Sequence, residues 1–191
     1  MTKNKMRLLF ILFFVITTNS ACANESSQLS KIIDDSLNDK SVPEHRAVLH
    51  KIIKWPNSCN KTFTYPTAGI VFLKIDSDTH LLQVTCTYGA YQGMSLFYKV
   101  NTSSTNSKLL TLPKSYTDKK GESEIWGNVL NDSTAKAFSI LNLYSGFGNC
   151  GRLTTYDLSQ QTPKIISLKR QEDCDKKPLE RDPEKWPLIK Q

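Results

Sequence analysis

From Gly69 onward, apolar and polar residues alternate in the manner of short β-strands separated by turns. Apolar runs at 70–75, 81–87, 95–100 and 109–112 are divided by short segments of Asp, Asn, Gly and Ser. Runs of this length between turn residues predict antiparallel strands joined by tight connections. The pattern therefore predicts a four-strand meander.

A second group of four runs follows at 124–130, 136–143, 153–158 and 164–169. The two groups can be aligned by pattern, which leaves two interpretations open: an internal duplication, or hairpins that are alike by default. In either case we predict a mainly β fold of about eight antiparallel strands in two four-strand meanders. They are expected to form a sandwich or a barrel-like body.

One or two short helices are predicted ahead of the strands. Segment 24–38 has four apolar residues spaced for one helix face: Leu29, Ile32, Ile33 and Leu37. This helix is expected either to pack on the domain or to stay loose. Ser41 and Glu44 have the spacing of a capping box, which predicts a second helix over 43–54.

The first 23 residues have the three parts of an export signal. Three basic residues precede an unbroken apolar run at 8–16, and a small A-x-A motif ends at Ala23. A membrane-spanning helix needs about 20 apolar residues, so this run is too short. We expect a chain that does not span the membrane and is periplasmic or secreted. The alternative is a lipoprotein anchored at Cys22, but Asn19 stands where lipoprotein signals normally have Leu.

The sequence predicts a division of the chain into three parts. We predict a signal peptide at 1–23, an N-terminal lead-in at 24–42 and a single disulfide-bonded β-rich domain at 43–191. The charged, proline-containing tail from 173 is expected to dock through an apolar plug of Trp186, Pro187 and Leu188.

The charge balance is mildly basic. The chain has 25 Lys and Arg against 18 Asp and Glu, a net charge of +7. The predicted signal holds three of the basic residues and no acidic one, which leaves 22 against 18, or +4. No run of Lys and Arg reaches the density of a surface that follows nucleic-acid phosphates. We therefore expect no nucleic-acid partner.

Four cysteines follow the signal: Cys59, Cys86, Cys150 and Cys174. Disulfides are expected in an exported chain. Three pairings are open, and we favour Cys59–Cys86 with Cys150–Cys174 because each pair then lies within one structural unit. The cysteines form no C-x-x-C motif, and only His80 lies near one of them, so we predict no metal site and no cofactor.

Several blocks carry a resemblance to a known family. They are Trp55-Pro-Asn-Ser-Cys59, Leu82-Gln-Val-Thr-Cys86, Gly89-Ala-Tyr91, Gly146-Phe-Gly-Asn-Cys-Gly151, Tyr156, Cys174 and Trp186-Pro187. Through them, residues 45–191 resemble the DUF1176 family of exported bacterial proteins of unknown function. Asn149 stands where the family usually has an acidic residue. The resemblance implies an exported bacterial protein with paired cysteines, and it carries over no catalytic residue.

Motifs for catalysis are weak. The glycines of segment 146–151 match the dinucleotide pattern G-x-G-x-x-G, but a strand follows where that pattern requires a helix N-terminus. A tight β–β connection accounts for the glycines. His45 and His50 are five residues apart on a helix and do not share a face. We predict that the protein is not an enzyme, with a cell-envelope hydrolase using paired carboxylates as the alternative.

Two loops of small residues carry the candidate binding residues. Tyr88 and Tyr91 flank the first loop, Tyr144 and Phe147 flank the second, and Arg152 adds a planar donor. Tyr and Arg are frequent anchors of interfaces. The competing interpretation is that these rings cover the sheet edge and fill the core.

From these loops we predict a non-catalytic binding or inhibitor module. Its partner would be an envelope protein or a cell-wall ligand. The second alternative, after the hydrolase, is an accessory envelope protein without a ligand of its own.

Overall fold

The computed structural model describes residues 25–38, 40–60, 68–130, 136–175 and 180–190. The predicted export signal, with Cys22, lies outside these residues. Helix α1 covers 25–37 and helix α2 covers Pro43–Ile53. The strands of the described residues are β1 Ile70–Lys74, β2 Thr79–Tyr88, β3 Gly93–Asn101, β4 Ser107–Leu109, β5 Ile125–Trp126, β6 Asn128–Leu130, β7 Ala137–Leu143, β8 Gly151–Asp157 and β9 Lys164–Gln171.

The strands form two antiparallel sheets. Strands β1 to β4 are neighbours in chain order, with β5 also paired to β3, and strands β6 to β9 make the second sheet in the same manner. This confirms the predicted mainly β fold with two meanders. The sheets are separate and do not close into a barrel, so the barrel-like arrangement is wrong.

The predicted strand at 124–130 is divided at Gly127 between the two sheets. Its first part, β5, pairs with β3, and its second part, β6, pairs with β7. Gly127 has φ 142°, and a Cβ atom there would lie 2.7 Å from Ile140 Cγ2. Only glycine fits both the backbone angle and the space, so the chain crosses between the sheets at this residue.

Both faces of the first sheet are covered. Leu82 and Val84 of β2 pack with the helices in one apolar cluster, while Leu81 of the same strand belongs to a cluster shared with the second sheet. In that shared cluster, the Phe97 and Phe138 ring centroids lie 5.5 Å apart. The order is therefore helices, first sheet, second sheet, which explains the nearly continuous apolar run of β2.

Helix α1 packs on this body through Leu29, Ile32 and Ile33, which are buried. Leu37 is exposed at the end of the helix. Of the two outcomes expected for this segment, packing is the one observed.

The predicted capping box of α2 is wrong. Val42 is the N-cap residue and makes no side-chain cap bond. Pro43 occupies the first turn, where its restricted φ suits a helix and its missing N–H costs nothing. The hydroxyl of Ser41 is instead buried without a hydrogen-bond partner among the described residues.

Both disulfides have the predicted pairing. Cys59–Cys86 joins the segment after α2 to β2, and Cys150–Cys174 joins the loop before β8 to the segment after β9. The two bonds occupy different places in the two meanders. The internal duplication stays a hypothesis.

Arg46 is a buried charge that joins helix α2 to the first sheet. Its guanidinium donates to the carbonyls of Gly69 at 2.7 Å and Thr85 at 2.8 Å, and also to the carbonyl of Cys59. Its central carbon lies 5.5 Å from the Trp55 ring centroid. Burial lowers the pKa of Arg46 to about 10, so the group is charged at neutral pH and its carbonyl partners compensate the charge.

The tail docks on the second sheet. Trp186 is buried, and its indole N–H donates to the carbonyl of Glu180 at 2.9 Å. Backbone hydrogen bonds from Arg170 to Pro187 and from Ile189 to Leu168 place the tail along β9. Trp186 therefore docks as predicted, whereas Leu188 stays exposed and is not part of the plug.

Candidate functional site

The two predicted loops lie side by side, held by the side chain of Gln92. The backbone N–H of Leu143 donates to Gln92 Oε1 at 2.9 Å, and Gln92 Nε2 donates to the Leu143 carbonyl at 3.4 Å. Gln92 lies in the loop between β2 and β3, and Leu143 ends β7. One amide therefore joins the first sheet to the second at the position of the loops.

Three of the predicted rings are exposed on these loops. Tyr91 is 43% exposed, Tyr144 is 41% exposed and Phe147 is 87% exposed. A Cβ atom at Gly146 would lie 3.6 Å from Tyr91 Cδ1, so the loop tips are in contact. These rings therefore do not fill the core, while their covering of the sheet edge stays an open interpretation beside the binding site.

Tyr88 is also exposed, at 51%, and it is the last residue of strand β2. It raises the pKa of the Arg46 guanidinium, in opposition to the larger effect of burial. Of the predicted rings, Tyr88 is therefore the one with an interaction toward this buried charge.

Trp126 is a ring that the sequence analysis missed. It is 45% exposed, and its Cζ3 atom lies 3.2 Å from the position of a Cβ at Gly89 in the first loop. A period-two pattern could have identified it, because Glu124, Trp126 and Asn128 share the polar side of the predicted strand. We call Tyr91, Trp126, Tyr144 and Phe147 the aromatic edge.

A cleft of about 200 Å³ opens beside the aromatic edge and includes Trp126 and Tyr144 in its lining. Its floor is one face of β7 and β8, where Ile140 lies opposite Thr154 and Asn142 lies opposite Arg152. Lys114, Glu122 and Glu124, from the segment between β4 and β5, form the remaining polar wall. The cleft thus combines apolar and polar side chains on its floor with charged side chains along its wall.

Arg152 belongs to this cleft and not to the exposed loop tip. The side chain is half-buried, and its Nη1 donates to the Lys114 carbonyl at 3.2 Å. Within the described residues this is the only hydrogen bond of the guanidinium, and its Nε is buried without an acceptor. Lys114 itself forms an ion pair with Glu122.

Tyr156 closes the base of the cleft as a neutral group. Its hydroxyl donates to the Pro113 carbonyl at 3.0 Å. Burial raises the pKa of Tyr156 to about 12, and the positive charge of Arg152 opposes that rise. The phenol is therefore protonated throughout the physiological pH range and holds the Pro113 segment against the second sheet.

Asn149 has a structural role in the second loop. Its Oδ1 accepts from the Ser145 hydroxyl at 3.0 Å, and its Nδ2 donates to the Cys174 carbonyl. Asn149 is buried. A carboxylate could accept from Ser145 but could not donate to Cys174, so an amide is the better partner for this backbone.

The glycines of the second loop allow a tight turn. Gly148 has φ 71°, and a Cβ atom at Gly151 would overlap the carbonyl of Asn142. Strand β8 begins at Gly151, which agrees with the tight connection predicted for this motif.

Within the described residues, no group of three His, Cys, Asp or Glu side chains is placed to hold a metal ion. No helix in the described ranges is long and apolar enough to cross a membrane.

Comparison with known proteins gives one match. The model of a family described as "Protein of unknown function (DUF1176)" matches residues 23–189. The chain belongs to the DUF1176 family. The match extends the predicted resemblance toward the N-terminus, so that helix α1 is included. No curated protein and no solved structure matches this DUF1176 chain.

Proposed function

We propose that this DUF1176 protein is an exported, non-catalytic binding or inhibitor module that contacts its partner through the aromatic edge. The observation that carries the proposal is a group of four large rings, each at least 41% exposed. Three of them lie on the loops that Gln92 holds together, and the fourth, Trp126, lies in β5 beside the first loop. Clusters of exposed aromatic residues on a folded surface are typical of interaction sites.

The loops are also well anchored, which favours binding. The first loop begins two residues after Cys86, which is bonded to Cys59. The second loop contains Cys150, which is bonded to Cys174. Side chains on constrained loops lose less conformational entropy when a partner is bound. Each ring can therefore contribute more of its burial free energy to affinity.

Export is supported by the same bonds. Disulfides persist in oxidising compartments such as the periplasm or the extracellular space. The A-x-A motif at Ala23 places the start of the exported chain at Asn24. Intact-mass measurement and non-reducing peptide mapping should find this N-terminus, both disulfides and no lipid on Cys22. A diacyl adduct on Cys22 would instead assign the protein to the lipoproteins.

A hydrolase is the second candidate, because Glu122 and Glu124 line the same cleft. Hydrolysis of a glycosidic bond by two carboxyl groups requires one of them to be protonated when the other is ionised. Glu122 forms an ion pair with Lys114, whereas Glu124 makes no ion pair within the described residues. The test is whether the protein releases reducing ends from a cell-wall polysaccharide. If it does, and if Glu124→Gln abolishes the release, the hydrolase replaces the non-catalytic proposal.

The binding proposal can be tested by capture from an envelope extract of the producing cell under non-reducing conditions. The immobilised mature protein should retain a specific partner, and Phe147→Ala or Tyr91→Ala should weaken retention by more than about 1 kcal/mol, or about fivefold. Ile166→Ala is the matched control, because Ile166 is 54% exposed on β9, away from the aromatic edge. Equal retention by all four proteins would overturn the proposal.

A further inference from the structure

The cleft beside the aromatic edge has a mixture of groups suited to one class of small ligand. We propose that Glu124, Trp126, Asn142, Tyr144 and Arg152 bind one uncharged sugar ring of a glycan chain. This inference rests on the proposed binding function and supplies its ligand class. It follows from the charge, the unpaired polar atoms, the rings and the backbone of the cleft.

The charges around the cleft balance one another. Lys114 and Arg152 are basic, and Glu122 and Glu124 are acidic. The Lys114–Glu122 ion pair leaves Arg152 and Glu124 as one further charge of each sign. With one further charge of each sign, the cleft offers no net attraction to an anion or a cation, whereas an uncharged polar ligand can accept from Arg152 and donate to Glu124.

Unpaired donors and acceptors occur together in the cleft. Apart from the bond to the Lys114 carbonyl, the Arg152 guanidinium makes no hydrogen bond within the described residues, and the Glu124 carboxylate has no hydrogen-bond or ion-pair partner there. The Asn142 amide donates to the Trp126 carbonyl at 2.9 Å, which leaves its oxygen able to accept. A hydroxyl group both donates and accepts, so a ligand with several hydroxyls matches this set.

Two exposed rings complete the site. Trp126 and Tyr144 line the cleft, and each combines an apolar face with a polar tip. A sugar ring has the complementary form, because its C–H groups make apolar faces while its hydroxyls surround the rim. The cleft volume of about 200 Å³ is below the range of sites that enclose a whole small ligand. The cleft therefore suits one ring, with the rest of the chain outside.

The floor of the cleft disfavours an extended peptide. Strand β7 is paired with β6 and β8, and β8 is paired with β7 and β9. Recognition by strand addition needs an unpaired sheet edge, and these two strands offer none. A ligand on the floor of the cleft therefore contacts the side chains of β7 and β8, because their backbone groups are paired with neighbouring strands.

Tryptophan fluorescence provides a selective test. Of the three tryptophans, Trp55 and Trp186 are buried and Trp126 is 45% exposed, so a quencher in solution reaches Trp126 first. The probes are cellotetraose, maltotetraose and the tetrasaccharide of N-acetylglucosamine, each at millimolar concentration. We expect at least one of them to shift the emission and to protect Trp126 from acrylamide quenching.

Calorimetry with that tetrasaccharide then tests the residues. Trp126→Ala and Glu124→Ala should each lower affinity at least about tenfold. Ile166→Ala should leave affinity unchanged, and circular dichroism should show the same fold in all variants. Glu124 is exposed, so its replacement tests the site even if Trp126→Ala does not fold.

Two results would overturn the sugar proposal: no binding of any of the three probes, or binding that neither substitution affects. If the probes fail while Phe147→Ala still weakens capture of an envelope partner, the binding function stands and the sugar ligand is excluded. If both experiments fail, both proposals are wrong.

Discussion

The side-chain amide of Gln92 is hydrogen-bonded to both the backbone N–H and the backbone carbonyl of Leu143, in the manner of a neighbouring strand residue. Strand β6 pairs with β7 only as far as Leu141, so Leu143 lies beyond the last backbone partner on that side. The amide takes the place of the missing strand. It thereby sets the distance between the loops of the aromatic edge.

We expect Gln92→Ala to lower the free energy of unfolding by about 1–2 kcal/mol, because two hydrogen bonds to the backbone are lost. Urea denaturation of the purified protein measures the change. Gln160→Ala is the control, since Gln160 is exposed in a turn. Equal stability of the two variants would show that the amide bridge contributes nothing.

Arg46→Met should be much more damaging. Several buried carbonyls, including those of Gly69 and Thr85, would each lose a hydrogen bond from the guanidinium, and we expect a loss of about 3 kcal/mol or more in the free energy of unfolding. Arg46→Lys should recover only part of this, because an ammonium group cannot reproduce the planar fork. Arg181→Met, at an exposed position of the tail, should change thermal stability little. A stable Arg46→Met variant would contradict the role assigned to this charge.

Stability should decrease as the pH falls below about 6.5 because of His80. Burial lowers the pKa of His80 in the folded protein, Lys74 acts in the same direction, and Asp34, Asp76 and Asp78 oppose them. The unfolded chain therefore binds a proton at a higher pH than the folded protein. Folding is favoured above the unfolded pKa, and that contribution is lost as the pH falls toward the folded pKa.

His80→Gln tests this prediction, because glutamine does not titrate in this pH range. Chemical denaturation at about pH 7.5 and about pH 5.5 should show a smaller loss of stability in the variant than in the wild type. His45 and His50 are retained in both proteins, so their contributions cancel. The same pH dependence in wild type and variant would exclude His80 as the cause.

Trp186→Ala should detach the tail from the second sheet. The indole is buried and hydrogen-bonded, so we expect a loss of about 3–5 kcal/mol in the free energy of unfolding. Leu188→Ala is the matched control, because Leu188 is 60% exposed and should cost at most about 0.5 kcal/mol. Limited proteolysis followed by mass spectrometry should show cleavage near the C-terminus in the Trp186 variant alone. Resistance equal to that of the control would mean that the tail does not depend on this ring.

The residues of the two loops could be predicted from composition. The division of the candidate site into the aromatic edge and the cleft beside it could not. The small residues and rings at 88–93 and 144–152 indicate connections between strands from their residue types alone, although Asn149 and Cys150 within the second are buried. The cleft needs Lys114 and Glu124, which come from the segment between β4 and β5 of the first sheet, beside Arg152 of β8 in the second. No local pattern relates these residues, because their proximity results from the packing of one sheet on the other.

Local elements of this protein follow from its sequence alone. Period-two patterns and turn residues predict the strands, and the spacing of Leu29, Ile32 and Ile33 predicts a helix face. The cysteine positions favoured one of three pairings, and the folded chain forms that pairing. The sheet that each half of the 124–130 segment joins and the burial of Arg46 follow from tertiary packing. Strand formation depends on neighbouring residues, whereas sheet assignment and the compensation of a buried charge depend on groups that are distant in the chain.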